Sequence, residues 1–111
     1  MNSSIELLGI VTSKNNIPIR LTKERWRHIT TAHPEIDIAE YSETLNIVRD
    51  PDMILEGDSD ELLAVKKTRK KMWFVVVYKE INQKDGFILT AYITTDEKWL
   101  FKRKALWNKI S

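Results

Sequence analysis

The sequence predicts an α+β fold: an amino-terminal hairpin, then two helices packed on a mostly antiparallel sheet of about four strands. Three observations lead there. Leu21–Glu35 carries both a start and a stop signal for a helix. Asp37–Val48 repeats apolar residues at helical spacing, and the chain from Met53 onward reads as strands joined by short polar turns. A chain of 111 residues forms one domain and can bury a single core. Its 42% hydrophobic and 31% charged content is that of an ordinary globular protein.

Taken in order, Ile5–Val11 and Ile17–Leu21 flank the turn-prone SKNN and form the hairpin. Thr22 caps a helix beginning at Lys23, with Leu21 and Trp26 spaced as a hydrophobic staple, and Pro34 stops it. In Asp37–Val48 the residues Ile38, Tyr41, Leu45 and Val48 share a stripe, leaving Glu40 and Glu43 to water, and Asp50-Pro51 breaks the helix. Met53–Glu56 is a short strand ended by GDSDE, and Leu62–Arg69 alternates weakly. Met72–Ile81 is apolar on both faces through WFVVVY, as a central strand is. After the loop Asn82–Gly86, the strand Phe87–Thr95 puts Phe87, Leu89, Ala91 and Ile93 on a core face. Ile88, Thr90, Tyr92 and Thr94 point the other way, with successive side chains about 7 Å apart. The tail from Asp96 fits helix and strand equally well, and no repeat or linker divides the chain.

Charge and composition narrow the function classes. No cysteine is present, which excludes disulfides and thiolate chemistry and makes a reducing, cytoplasmic setting the expectation. MNSSIELLGIV lacks a basic residue before a short, broken apolar run, so neither a signal peptide nor a membrane span is expected. The net charge is +2, but the signs are segregated. Glu35–Glu61 holds ten acidic residues and one basic; from Leu62 onward there are twelve basic against four acidic. The block Lys66–Lys71, KKTRKK, focuses positive potential suited to a polyanion such as RNA, although a charge run also serves as a solvated face.

Both histidines, His28 and His33, lie in the capped helix and bring the only side chains whose unperturbed titration falls near neutrality. Five residues turn a helix through about 500°, so the two imidazoles diverge by some 140°. Unless the helix unwinds between them they cannot chelate one metal together, and no cysteine or third histidine completes such a site. His33 shares a face with Trp26, Ile29 and Thr30; His28 lies toward Glu24, Arg25 and Thr31 on the polar side. Trp99 and Trp107 flank the basic KRK of Lys102–Lys104, a pattern that suits single-strand binding. In a small domain such tryptophans more often close the core, and that is the reading adopted for both. Trp73, inside WFVVVY, is read as core as well.

The order RWRHITTAHPE, YSETLNIVRDPD, LAVKKTRKKMWFVVVYKE, ILTAYITT resembles the phage-associated branch of the barnase–EndoU–colicin–RelE nuclease superfamily. The likeness spans Leu21 to Thr95 and rests on the order and spacing of motifs that are short one by one. It implies a metal-independent RNA endonuclease, toxin-like, with RNA as substrate, an antitoxin protein as candidate partner and no cofactor. Carried over residue by residue, it points to His28 and His33, to Lys66 or Lys67 with Arg69, and to Thr90, Tyr92 and Thr94. The modest net charge and acidic middle third depart from toxin-like relatives.

The implied reaction needs a group to take the 2′-hydroxyl proton and another to protonate the leaving 5′-oxygen, tasks that imidazole and imidazolium fit. Growing charge on the phosphoryl oxygens needs a cation. His28 is expected as base or acid, Lys67 or Arg69 as electrostatic stabiliser, and Tyr92 and Thr94 as positioning groups. His33 is either the second proton carrier or a packing residue. Arg25, Lys66, Lys70, Lys71 and Thr90 are expected to contact substrate. Two further readings stay open: an RNA-binding module of the same fold without catalysis, and a structural or antitoxin-binding protein using the acidic stretch.

Overall fold

The computed structural model describes residues 6–69 and 71–109. Ile5, at the start of the expected first strand, lies outside them, as do Lys70 and the last two residues of the tail. The elements run β1 (Leu7–Thr12), β2 (Pro18–Thr22), α1 (Lys23–Ala32), a 3-10 turn (Ile38–Glu40), α2 (Tyr41–Arg49), β3 (Met53–Glu56), β4 (Leu62–Arg69), β5 (Met72–Asn82), β6 (Asp85–Thr94), α3 (Glu97–Phe101) and β7 (Ala105–Asn108).

The expectation of two helices on about four strands is corrected by this architecture. A single seven-stranded mixed sheet, in the order β1-β2-β6-β5-β4-β3-β7, carries three short α-helices. Two pairings account for the difference. The hairpin does not stand apart: β2 pairs in parallel with β6 through Ile19 and Gly86 and through Arg20 and Phe87. At the other edge, the tail forms α3 and then β7, which pairs with β3. The sheet curls enough to bring Lys14, in the β1–β2 turn, to 5.0 Å from the ring centroid of Trp107 on β7. Trp107 stays partly exposed there and does not close the core.

Each face of the sheet has its own core. Alternation along β5 sends Phe74, Val76 and Tyr78 toward Trp26 and Ile29 of α1 and Leu45, Ile47 and Val48 of α2. Val75 and Val77 point to the opposite face, where they join Leu55, Leu63, Val65 and Leu100 of α3. We call these the α1/α2 face and the α3 face. β5 is the middle strand of the seven, which is why WFVVVY is apolar on both sides.

Local chemistry explains the helix ends. Thr22 Oγ1 accepts from the Arg25 N–H at 3.1 Å, and Asp37 and Glu40 form a reciprocal capping box around the 3-10 turn. That tighter turn shifts the helical phase. Ile38 and Tyr41 are therefore exposed, and α2 buries Thr44, Leu45, Ile47 and Val48 instead of the expected stripe. A second irregularity, the register shift between Val77 and Tyr78 of β5, lets β6 pass over Leu89. Ile88 thereby joins Ala91 and Ile93 on the α1/α2 face while Leu89 goes to the other, which corrects the simple alternation of Phe87–Thr95.

Part of the charge segregation along the chain is offset on folding. Asp58 pairs with Arg103 at 3.0 Å, Asp60 with Lys79 at 3.4 Å and Asp50 with Lys109 at 3.6 Å, so the acidic segment meets the basic one within the molecule. No helix among the described residues is long and apolar enough to cross a membrane.

Candidate functional site

β2 pairs with β6 only as far as Arg20 and Phe87 before the chain turns into α1, so the later part of β6 is left beside the helix. The carboxyl end of α1 and the His33-Pro34-Glu35 corner run along that edge. His33 caps the helix, its backbone N–H donating to the Ile29 carbonyl at 2.8 Å, and lies on the same side of α1 as Trp26 and Ile29. Two residues on, Glu35 Oε2 accepts from the Ile93 N–H of β6 at 3.4 Å. The same oxygen lies 3.5 Å from His33 Nδ1. One carboxylate thus stands between the imidazole and the strand, beside Nδ1 and not Nε2.

Tyr92 meets this imidazole, the two ring centroids 5.9 Å apart. Burial raises the pKa of its phenol above the ordinary value; Arg103 acts the other way and Asp58 adds to the rise. The phenol is therefore a donor throughout the neutral range. Thr90, Tyr92 and Thr94 share the α3 face, opposite Val77, Val75 and Trp73 of β5. Thr94 Oγ1 accepts from the Asp96 N–H at 3.0 Å, which leaves its O–H to donate elsewhere. Trp73 in turn pairs with Lys67 of β4, whose Nζ sits 5.6 Å from the indole centroid. Lys67, Trp73 and Thr94 thus form a row across three strands, about 10 Å from end to end at the usual strand spacing.

Alternation separates the other basic residues from this row. Lys66 pairs with Phe74, on the α1/α2 face, and its Nζ reaches the Asp50 carbonyl at 3.4 Å. Arg69 and Lys71 are exposed at the β4–β5 turn, where Lys71 adopts φ 61°. Lys70, expected to contact substrate, lies outside the described residues. Arg25 is exposed in the first turn of α1 and lines an open cleft with Arg20, Thr22, Phe87 and Ile88. His33 lies eight residues further along, about 12 Å at the helical rise.

His28 is not brought to the others. It is exposed on the side of α1 away from Trp26 and Ile29, and among the described residues its side chain has no hydrogen bond or ion pair. The arrangement therefore offers one protonated phenol, two hydroxyls and one lysine on the α3 face, with one imidazole beside the phenol at the edge of β6.

Three neighbours in this region were not foreseen from sequence. Glu35 lies inside the HPE motif, where a carboxylate two residues beyond an imidazole was the available signal. Arg103, in the loop after α3, had no local signal at all; its guanidinium lies 4.5 Å from the Trp99 ring centroid. The sequence places Trp99 in the core, yet it remains 40% exposed. Leu100, one residue on, is the side chain that α3 buries. Trp73 is only partly buried, its Nε1 donating to Glu97 Oε2 at 2.8 Å.

Among the described residues, no three or more histidine, cysteine, aspartate or glutamate side chains stand together as metal ligands. No family model, curated protein or solved structure matches the chain.

Proposed function

We propose that this chain is a metal-independent RNA endonuclease whose proton carrier is His33 rather than His28. The reading rests on one observation: Glu35 Oε2 lies 3.5 Å from His33 Nδ1 and is itself anchored to β6, which holds the imidazole against Tyr92. A carboxylate on Nδ1 favours the tautomer whose Nε2 is a base. Nε2 takes the 2′-hydroxyl proton as the 2′-oxygen attacks phosphorus, and the imidazolium so formed returns that proton to the 5′-oxygen as its bond to phosphorus breaks. Tyr92, kept protonated by burial, donates to a phosphoryl oxygen, and Lys67 supplies positive charge on the same face. Thr90 and Thr94 orient the phosphate; Arg69 and Lys71, at the exposed hairpin, track the RNA backbone. The setting is cytoplasmic, with RNA as substrate and an antitoxin protein as candidate restraint.

The isolation of His28 favours a second reading, an RNA-binding module of the same architecture without catalysis, because a single imidazole is left to serve both proton transfers. Incubation with RNA in EDTA separates the two. The enzyme reading predicts cleavage that survives in His28→Ala and falls by about 10²- to 10⁴-fold in His33→Ala. The binding reading predicts salt-sensitive retention of intact RNA in all three proteins.

A further inference from the structure

The aromatic surface next to His33 is larger than the reaction requires. α3 is laid across the sheet by Leu100, fully buried, and is capped by Asp96, whose carboxylate accepts from the Trp99 N–H at 3.0 Å. These two anchors fix the position of Trp99. Its ring lies 6.2 Å from that of Tyr92, the side chain that also meets His33. The Arg103 guanidinium, 4.5 Å from its centroid, backs the indole. Arg103 is itself held, donating to the Glu56 carbonyl at 3.2 Å and to Asp58 at 3.0 Å, and its side chain is 14% exposed. With Tyr92 and Arg103 packed against it, Trp99 is still 40% exposed. An aromatic side chain held by fixed neighbours and still this exposed is suited to stacking.

We infer that Trp99 binds an unpaired RNA base, that of a nucleotide next to the scissile phosphate, so that the substrate is single-stranded RNA. The inference rests on the nuclease reading for what lies beside the base. The occupant itself follows from the surface. An aromatic ring beside a fixed cation, next to a phenol and one ring removed from an imidazole, with Lys67 on the same sheet face as the phenol, matches a planar base joined to a phosphate. In an A-form duplex each base is stacked between its neighbours, so only an unpaired base can be turned onto the indole. Trp99 is thus a positioning residue that touches the base and not the reacting atoms.

The test separates this inference from the nuclease reading by using a strand that cannot be cleaved. A 2′-O-methyl oligonucleotide lacks the attacking hydroxyl, and its affinity is measured single-stranded and as a duplex with its complement. The wild-type protein is expected to prefer the single strand. Trp99→Ala is expected to weaken single-strand binding by about 5- to 150-fold, the equivalent of about 1–3 kcal/mol for one stacked base. Trp99→Phe, which keeps a π-face, is expected to recover most of it, and duplex affinity is expected to be the same in all three. Unchanged single-strand affinity in Trp99→Ala, no recovery in Trp99→Phe, or equal affinity for duplex and single strand would overturn the inference. Tight, Trp99-dependent binding alongside failure to cleave ordinary RNA would remove the nuclease reading and leave the base platform standing.

Discussion

Oε2 of Glu35 lies 3.5 Å from Nδ1 of His33 and at the same time accepts the Ile93 N–H at 3.4 Å. In the proposed reaction the first contact favours the tautomer whose Nε2 is free, and the second links the carboxylate to β6. Glu35→Gln keeps the size of the side chain but removes its charge. A single-turnover assay should show RNA cleavage slowed by roughly tenfold, the kinetic equivalent of about 1.4 kcal/mol. Equal rates in the variant and the wild type would mean that the carboxylate does not orient His33.

Tyr78 gives a pH dependence whose sign follows from its burial. Its side chain is fully buried, and desolvation, reinforced by Glu80, raises its pKa well above the ordinary value. The unfolded phenol ionises near pH 10 while the folded one still holds its proton, so from there upward the folded state binds more protons and stability falls as pH rises. Below that point both states are protonated and the group contributes no slope. Urea midpoints of wild type and Tyr78→Phe should therefore run parallel up to about pH 9.5 and diverge above it, with the wild type declining faster. Parallel curves through pH 11 would exclude the assignment.

Gly86 sits where three strands converge, opposite Ile19 of β2 and Glu80 of β5. A β-carbon there would come within 2.5 Å of Ile19 Cδ1 and 2.6 Å of the Lys79 carbonyl oxygen. The isoleucine can yield; the backbone oxygen belongs to the central strand and cannot move without disturbing the pairing. Gly86→Ala should lose about 1–3 kcal/mol of unfolding free energy, read from urea denaturation. A loss below about 0.5 kcal/mol would show that β2 and β6 can separate at little cost.

What could be read from the chain alone was what is determined locally. Thr22 before Lys23 and Pro34 after His33 mark α1 because a cap and a missing N–H act within one turn. Met53–Glu56 and Leu62–Arg69 are strands at the expected limits because turn residues bound them. The parallel contact of Ile19 with Gly86 joins residues far apart in sequence and has no local signature, so the hairpin was not seen to enter the sheet. α3 is five residues long and is held by burial of Leu100, and β7 exists because β3 offers it an edge; neither is set by its own propensity. For the candidate site, the helical wheel already put His33 with Trp26 and Ile29. Its nearness to Tyr92 depends on where β2 leaves β6, which no periodicity reveals. The preference for His28 came from the resemblance and from its polar surroundings, and an exposed position on the far side of α1 is what those surroundings meant.

The most direct measurement is the chemistry of the ends that RNA carries after treatment with the protein in EDTA. Attack by the 2′-oxygen at a site built on His33 predicts 2′,3′-cyclic phosphate and 5′-hydroxyl ends, formation that depends on His33 and not on His28, and no cut at a position carrying a 2′-deoxyribose. Intact RNA, or fragments with 5′-phosphate and 3′-hydroxyl ends cut equally well at a 2′-deoxy position, would contradict it.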